Sequence, residues 1–270
     1  MKPGGIWKKE RLCLKKNLNY KVRMKKILIT GGTGLLGKEI VKGFLEKQSI
    51  VYFTSTSKKK SDEFIKSIKP KLKNKCIPLI HRFDSYNDIE NFINKYKKLN
   101  FDTLVNNARN ISNLNLKVKN EEHFNSFNKE IFLAAQLPYF LSISLNSKFL
   151  KYIVNISSMY GIVPPNKNLY HDQYKSSPIY YGVAKAAEIH LTKELSVRLA
   201  DKKIRVNSIS FGGFEGRVND KFKKKYNKMC PLGRMLKPKE VFEPLWFLCT
   251  EQSSGATGHN LVVDGGWTTW

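Results

Sequence analysis

Two residues with complementary chemistry, Tyr181 and Lys185, lie four positions apart in the segment 177–188. In a helix this spacing predicts that both side chains share one face and lie one turn apart. A neighbouring ammonium favours the phenolate form of a tyrosine, so the pair predicts a group that donates and accepts protons. A surface helix with one aromatic residue is the alternative interpretation. The elements that would position the pair decide between the two.

Apolar runs alternate with helical patterns along most of the chain. Near-continuous apolar strands separated by helices predict an α/β fold, a doubly wound parallel sheet of about seven strands with helices on both faces. In such a sheet, ligands gather at the carboxyl ends of the strands. Strands are predicted at 27–30, 50–54, 77–80, 103–105, 152–156, 204–209 and 260–263, and helices at 35–47, 60–68, 88–98, 122–145, 180–200 and 238–250.

A glycine-rich turn, residues 30–37, connects the first predicted strand to the first helix. Glycines let the backbone turn tightly and approach a pyrophosphate, while the start of the helix supplies N–H groups and the positive end of its dipole. A plain tight turn is the alternative, but the strand before it and the helix after it favour dinucleotide binding. The predicted contacts in this turn are Gly31, Gly34, Leu36 and Gly37.

The end of the second strand indicates which dinucleotide would bind. An acidic residue there would bind the 2′-hydroxyl of the adenosine ribose and repel a 2′-phosphate. In this chain no acid occurs between Phe53 and Asp62, and the segment contains hydroxyl groups, including Ser57, followed by Lys58 and Lys59. The hydroxyls and Lys58 or Lys59 would suit a 2′-phosphate, so NADP(H) is favoured and NAD(H) is the alternative. The lysines could equally form ordinary solvated surface.

Small polar residues follow the fourth and fifth predicted strands. Asn106 and Ala108 lie at the first of these ends, and Ser158 lies at the second. Both ends should face the cofactor, and a serine hydroxyl can donate a hydrogen bond to a carbonyl or alcohol oxygen of a substrate. A helix cap or a turn is the alternative role for a serine at the end of a strand.

The formal net charge of +26 is unusual for a chain of 270 residues. It would suit nucleic acid or an anionic membrane surface. The lysines are spread over predicted helix faces and loops, however, and abundant Lys, Asn and Ile indicate biased codon usage. We therefore expect no nucleic-acid or membrane partner, with attraction of phosphorylated or acidic substrates as a side effect of the charge.

Cysteine and histidine residues show no ligand spacing. Four scattered cysteines indicate neither a disulfide framework nor a metal site, and they favour a reducing, cytoplasmic compartment. The histidines predict no metal either, although His171 could touch a substrate.

The beginning of the chain differs in character from the rest. Residues 1–23 are basic and without a clear period, and no apolar segment follows them as it would in a signal peptide. We expect a basic N-terminal extension, disordered or not native, followed by a single NAD(P)-binding domain over residues 24–270.

Taken together, these motifs resemble the short-chain dehydrogenase/reductase family, in its shorter-chain, single-domain branch. The resemblance extends from about residue 25 to residue 270. It implies a Rossmann-type oxidoreductase, a homotetramer or homodimer, that acts on an alcohol–carbonyl pair. It rests on the turn 30–37, Asp84, residues 106–108, residues 155–158, Tyr181 with Lys185, residues 204–209 and residues 263–266.

The resemblance also implies roles for single residues. Tyr181 would be the general acid/base, Lys185 would stabilise its anion and hold the nicotinamide ribose, and Ser158 would bind the substrate oxygen. Gly31, Gly34 and Gly37 would line the pyrophosphate, and Asp84 would meet the adenine. The adenosine side would also contact Asn106 and Ala108, and Gly212 belongs to the segment that shapes the nicotinamide site.

Several residues depart from the family pattern. Arg109 stands where glycine is usual, Phe211 where proline is usual, and Ala134 where an asparagine normally supports a proton relay. These departures imply an altered or lost relay, and they leave open a cofactor-binding partner subunit with impaired catalysis. Additional residues at 164–177 predict a loop that faces the substrate.

The substrate class is left open between two enzymatic alternatives. The inserted loop, the turn 30–37 and residues 226–234 resemble members that work in bacterial surface-sugar or flagellin-glycan pathways, which implies a sugar derivative. A 3-oxoacyl-thioester reductase is the generic alternative. A nucleic-acid-binding protein is a third class, which the charge alone supports.

Overall fold

The computed structural model describes residues 23–110, 120–170 and 177–270. The predicted N-terminal extension lies outside these residues except for Arg23. His171 and most of the second half of the inserted loop also lie outside them.

The described residues form one seven-stranded parallel sheet in the order β3-β2-β1-β4-β5-β6-β7. This confirms the predicted α/β, doubly wound fold. The chain order reverses between β1 and β4, which is the point where such sheets open a crevice for ligands. The strands are β1 Lys26–Ile29, β2 Ile50–Ser55, β3 Cys76–Ile80, β4 Thr103–Asn106, β5 Tyr152–Ser158, β6 Arg205–Phe211 and β7 Asn260–Val263.

Helices cover both faces of this sheet, and most lie within two or three residues of the predicted bounds. None of those in the described part of the chain combines the length and apolar content that a membrane span needs. The α-helices are α1 Leu35–Glu46, α2 Lys58–Lys66, α3 Tyr86–Tyr96, α4 Asn120–Ile131, α5 Leu137–Ser144, α6 Ile179–Arg198, α7 Asp220–Met229 and α8 Phe242–Leu248.

The sheet is apolar on both sides because successive residues of each strand face opposite layers. In β1, Ile27 and Ile29 pack on one face with Phe44 of α1, while Leu28 packs on the other face with Phe92 of α3. All three strand residues are at most 1% exposed. This two-sided burial explains why the strands read as near-continuous apolar runs in the sequence.

The long helix expected at 122–145 is interrupted. A π-helical turn, Phe132–Gln136, separates α4 from α5. Pro138 lies in the first turn of α5, and without an N–H it cannot donate to the carbonyl of Ala134 as an uninterrupted α-helix requires. The wide turn accommodates that missing bond.

Helix α7 was not predicted, because its lysines were interpreted as solvated surface. It begins after Asn219, whose side chain accepts a hydrogen bond from the N–H of Phe222 at 2.9 Å. Tyr226 is 1% exposed and stacks on Trp267 with ring centroids 4.4 Å apart. Phe222 and Tyr226 are spaced for one helix face, and this apolar pair was the available signal.

The glycine-rich turn is closely packed where it enters α1. A Cβ on Gly37 would lie 2.2 Å from the carbonyl oxygen of Gly31, which is backbone and cannot rotate away. Gly31 itself has φ +70°, a conformation that glycine adopts at low cost. The sequence of this turn therefore fixes how closely the helix approaches the strand.

We expect Gly37→Ala to destabilise the fold by about 1–3 kcal/mol, since the new methyl group overlaps backbone atoms of the turn. Gly34→Ala is the matched control, because its Cβ would lie 3.4 Å from the nearest atom, an ordinary contact. That variant should stay within about 0.5 kcal/mol of wild type. Urea unfolding of the three proteins measures the difference, and equal stability of the two variants would contradict the steric explanation.

Candidate active site

A cavity of about 650 Å³ opens at the carboxyl ends of the strands. It extends from the glycine-rich turn to the pair Tyr181 and Lys185 on α6, so the two strongest sequence motifs border one space. The predicted site residues that line it are Gly31, Gly34, Leu36, Gly37, Asp84, Ala108, Tyr181 and Lys185.

The floor of this cavity is the turn, which hydrogen bonds hold to its neighbouring strands. The N–H of Gly31 donates to Thr54 Oγ1 at 2.9 Å, and the N–H groups of Asn107 and Ala108 both donate to Thr30 Oγ1 at 2.9 Å. No side chain caps the start of α1 at Gly34. The first N–H groups of α1 therefore remain available to an anion.

The structure therefore fits a dinucleotide on its own geometry. Gly31, Gly34 and Gly37 have no side chain that would keep a pyrophosphate away from the backbone. The positive end of the α1 dipole points to the same place.

Four predicted cofactor contacts do not line this cavity. Ser57 uses its hydroxyl to cap α2 by accepting from the N–H of Lys60 at 3.2 Å, and Lys58 is exposed at the start of that helix. Asn106 is buried and donates to Asn155 Oδ1 at 2.8 Å. Gly212 packs against the backbone of Asp264, whose Cα would lie 2.8 Å from a Cβ placed on Gly212. Their roles at the cofactor stay predictions.

The Lys185 ammonium is buried rather than solvated. Its side chain is 9% exposed, and Nζ donates to the carbonyl oxygen of Ile156 and to Glu188 Oε2, each at 2.8 Å. The second contact joins α6 positions three apart, and Glu188 is only 3% exposed. Glu188 is not among the residues predicted from the sequence, although an acid three residues after a lysine on one helix face was an available signal.

The carboxyl group of Glu188 has an unusual protonation equilibrium. Burial raises its pKa to about 7, against the lowering effect of Lys185, and the nearby Glu130 raises it further. Glu130 is itself 2% exposed. Glu188 and Glu130 are thus two buried carboxyl groups in the region of the Lys185 ammonium. With a pKa of about 7, Glu188 changes its protonation state near neutral pH.

Ser158 is buried at the end of β5, and its hydroxyl accepts a hydrogen bond from the N–H of Tyr160 at 3.2 Å. This is the capping role foreseen as the alternative, and it leaves the hydroxyl proton for another acceptor. Ser158 does not line the cavity, whereas its neighbour Ser157 does. The Ser157 hydroxyl donates to the carbonyl oxygen of Lys185 at 3.0 Å. Ser158 as the substrate contact stays a prediction.

Ala134, at the position where the resemblance implies an asparagine, is 5% exposed within the π-helical turn. A polar chain runs close by. Asn155 donates to Thr192 Oγ1 at 2.9 Å, and that hydroxyl donates to the carbonyl oxygen of Glu188 at 2.9 Å. Polar groups therefore do occupy the region behind Lys185, but they come from β5 and α6.

The first part of the inserted loop contacts the surroundings of Tyr181. The Tyr170 hydroxyl lies 2.8 Å from that of Tyr160, whose ring packs edge-on against Tyr181 with centroids 6.5 Å apart. Leu169 is buried with Tyr226 and Trp267. The expectation that this segment borders the site is consistent with these contacts for residues up to 170.

Three arginines also line the cavity: Arg82, which pairs with Asp84, and two others, Arg109 and Arg217. The guanidinium carbon of Arg109 lies 4.0 Å from the ring centroid of Tyr181. Arg217, in the loop between β6 and α7, borders the same space. The sequence singled out Arg109 as a departure from glycine, but it gave no signal for Arg217.

Known proteins resemble this chain over nearly its whole length. A family model described as enoyl-(acyl carrier protein) reductase matches residues 34–268. The post-translational flagellin modification protein A of Campylobacter coli is 27% identical over 253 residues, which cover 89% of this chain and 97% of that protein. The 3-oxoacyl-[acyl-carrier-protein] reductase FabG of Thermotoga maritima is 30% identical over 255 residues, covering 88% and 96%.

Solved structures agree with these sequence matches. A short-chain dehydrogenase from Leptospira borgpetersenii with bound NAD⁺ superposes with a TM-score of 0.76 at 27% identity, covering 91% of this chain and 93% of that one. A 4-hydroxyisoleucine dehydrogenase complexed with NADH gives a TM-score of 0.75 at 26% identity, covering 91% and 99%. Because the matches in sequence and in structure both span this chain from the glycine-rich turn to its last strand, it belongs to the short-chain dehydrogenase/reductase family, whose oxidoreductases use a nicotinamide cofactor.

Proposed function

We propose that this oxidoreductase interconverts a carbonyl and an alcohol with NADP(H), and that Tyr181 is its general acid/base. One observation carries the proposal: a single cavity joins the glycine-rich turn to the side chain of Tyr181. A phenol at the far end of a dinucleotide site is well placed to exchange a proton with a substrate that lies against the nicotinamide.

Each residue has a limited task in this scheme. When bound, the nicotinamide supplies or accepts the hydride. Tyr181 gives its hydroxyl proton to the carbonyl oxygen during reduction and takes it back during oxidation. Ser158, whose hydroxyl proton has no acceptor among the described residues, donates to the same oxygen. Gly31, Gly34 and Gly37 bind the pyrophosphate through the backbone.

Lys185 acts as a fixed positive charge and as a ligand of the nicotinamide ribose. A buried ammonium stays charged only when acceptors compensate for its lost hydration. Ile156 and Glu188 supply two such acceptors here. We propose that these two contacts hold the Lys185 side chain in position while the third N–H of its ammonium group serves the ribose.

The preference for NADP(H) rests on the adenosine end of the cavity. Thr54, Ser55 and Thr56 line it at the end of β2, and none of them carries a negative charge. Lys60 borders this end and Lys58 does not, which supports Lys60 as the main contact of a 2′-phosphate. NAD(H) is the alternative, since the Leptospira borgpetersenii relative holds NAD⁺.

A carbonyl-bearing sugar derivative is the proposed substrate, and a 3-oxoacyl thioester is the alternative. FabG, at 30% identity, supports the thioester by its name. Flagellin modification protein A, at 27% identity, supports the sugar derivative through the resemblance to flagellin-glycan members. An impaired partner subunit is the remaining alternative, motivated by Ala134. We also propose a cytoplasmic homotetramer or homodimer, as the resemblance implies.

Tyr181→Phe removes the acid/base hydroxyl and keeps the ring. We expect kcat to fall by about 10²–10⁴-fold for any carbonyl substrate, with NADPH affinity nearly unchanged. Tyr180→Phe is the matched control, since Tyr180 is a buried neighbour that packs on Phe127 and does not line the cavity. NADPH oxidation with a carbonyl panel is the assay. Equal turnover by wild type and Tyr181→Phe would remove Tyr181 from the mechanism.

Lys60→Gln tests the cofactor preference. Loss of one charge-assisted contact to a 2′-phosphate should weaken NADPH binding by about 10-fold and leave NADH binding unchanged. Lys58→Gln, two residues earlier, should change neither affinity by more than about 2-fold. Fluorescence titration with both nucleotides measures this. Tighter binding of NADH than of NADPH to wild type would contradict the preference. If Lys58→Gln weakens NADPH binding more than Lys60→Gln does, Lys58 is the contact of the 2′-phosphate.

Glu188→Gln tests the buried carboxyl group. The folded-state pKa of Glu188 is raised to about 7, so the folded protein binds this proton more tightly than the unfolded chain does. The stabilising contribution is therefore complete at acidic pH and is lost as pH rises through 7. The glutamine variant has no such titration.

Urea unfolding of wild type and Glu188→Gln at pH 5 and pH 8 measures this difference. We expect the free energy of unfolding of wild type to fall relative to the variant between the two values. A difference between the proteins that is constant with pH, or that changes in the opposite direction, would show that Glu188 does not titrate in this range.

A further inference from the structure

Arg109 and Arg217 differ from the other described arginines in having no acceptor within the described part of the chain. Within residues 23–110, 120–170 and 177–270, neither forms an ion pair with a carboxylate or donates to a carbonyl oxygen. The others are all compensated: Arg23 by Asp102, Arg82 by Asp84, Arg198 by Glu194, Arg234 by Glu240, and Arg205 by backbone carbonyl oxygens. The two exceptions line the same cavity, beside Tyr181.

Arg109 is held in place by the ring of Tyr181. Its guanidinium carbon lies 4.0 Å from the ring centroid, within the range of a cation–π contact. Its Nε is buried and has no hydrogen-bond partner among the described residues. A buried donor without an acceptor is uncommon in native proteins, so this atom marks a place where an oxygen from another molecule would be stabilised.

Arg217 brings a second positive charge to the same place. Although the residue is exposed overall, partial loss of hydration lowers the pKa of its guanidinium, and the charge of Arg109 lowers it further. The two guanidinium groups therefore repel each other across this end of the cavity. An anion between them would relieve that repulsion and supply the missing acceptors.

The neighbouring acid cannot do this. Glu188 lies close enough for Arg109 to lower its pKa, but its carboxyl group contacts the ammonium of Lys185 at 2.8 Å. The third positive charge at this end thus already has its partner. Within the part of the chain that the structure describes, neither arginine is paired with a carboxylate, so an anion from another molecule would fill this place.

The pyrophosphate of the cofactor would lie against the glycine-rich turn, and a 2′-phosphate would lie near Lys60. Arg82, which also lines the cavity, pairs with Asp84. The guanidinium of Arg109 instead contacts the ring of Tyr181, whose hydroxyl group would meet the reacting oxygen of the substrate. The expected anion is therefore part of the substrate, and it is only a few atoms away from the carbonyl group.

We propose that Arg109 and Arg217 form an anion subsite next to Tyr181, and that the substrate is a small carbonyl compound bearing a carboxylate or phosphate near its carbonyl group. This rests on the proposed function, because it takes Tyr181 as the acid/base group. It disfavours a 3-oxoacyl thioester, which is neutral around its reacting carbonyl. Carboxylate and phosphate share the bidentate chemistry that guanidinium groups recognise.

Matched pairs of carbonyl compounds test the proposal. Pyruvate and methyl pyruvate form the carboxylate arm, dihydroxyacetone phosphate and dihydroxyacetone form the phosphate arm, and acetoacetyl-N-acetylcysteamine represents neutral thioesters. With NADPH at fixed ionic strength, we expect kcat/KM for the anionic member of at least one pair to exceed its neutral partner by about 10-fold or more. The arm that shows this preference identifies the anion.

Arg217→Gln should lower kcat/KM for the anionic member by about 10- to 100-fold and leave its neutral partner within about 3-fold. Arg109→Gln should lower the ratio of kcat/KM between the anionic and the neutral member by about 10-fold or more. This ratio is the readout for Arg109→Gln, because the substitution also removes the cation–π contact with Tyr181. Arg198→Gln is the charge-matched control, since Arg198 is exposed on α6, pairs with Glu194 and lies outside the cavity. It should leave both members of each pair unchanged.

A binding measurement decides the matter independently of turnover. Calorimetric titration of inorganic phosphate, and of oxamate as a keto-acid analogue, into the protein with NADPH should show binding that Arg217→Gln abolishes and Arg198→Gln keeps. Absence of binding for both anions in wild type, equal use of anionic and neutral members, or an Arg217→Gln variant indistinguishable from wild type would overturn the subsite. Failure of the proposed function looks different: no nucleotide binds, or Tyr181→Phe is as active as wild type.

Discussion

A buried positive charge, the ammonium of Lys185, determines much of the geometry around the site. It reaches from α6 to the carbonyl oxygen of Ile156 in β5 and to Glu188 one turn further along its own helix. Removing such a charge from water is costly, so its acceptors have to be held in position. Ser157 contributes by donating to the carbonyl oxygen of Lys185, and Thr192 links α6 to Asn155. These polar contacts tie β5 to α6, the helix that carries Tyr181.

Much of this arrangement follows from the sequence, because its causes are local. Strands buried on both faces are continuously apolar, and a glycine-rich turn between a strand and a helix has few other uses. The break at Pro138 also has a local cause, although the helical pattern on both sides conceals it. The cofactor contacts were harder to predict from the sequence, because the Ser57 hydroxyl suits both a phosphate and a helix cap. In the structure it caps α2.

The residues that the sequence did not indicate are those whose contacts depend on the tertiary structure. Glu188 resembles any helix acid until β5 buries it against Lys185. Arg217 is one of many basic residues, and only the loop after β6 brings it to Tyr181. In a chain with a net charge of +26, functional basic residues cannot be told from solvated surface ones by sequence. The folded structure distinguishes them, because a functional cation in a cavity lacks an acidic partner. The remaining positive charge raises the local concentration of anions.

The π-helical turn between α4 and α5 has a consequence for how this chain is compared with others. A turn of this kind contains one residue more than an α-helical turn, and one residue corresponds to a rotation of about 100°. Numbering carried forward from α4 and numbering carried back from α5 therefore disagree by one position across Phe132–Gln136. Ala134, the residue assigned to the place of the family's asparagine, lies inside this segment, so that assignment depends on the helix from which the numbering is carried.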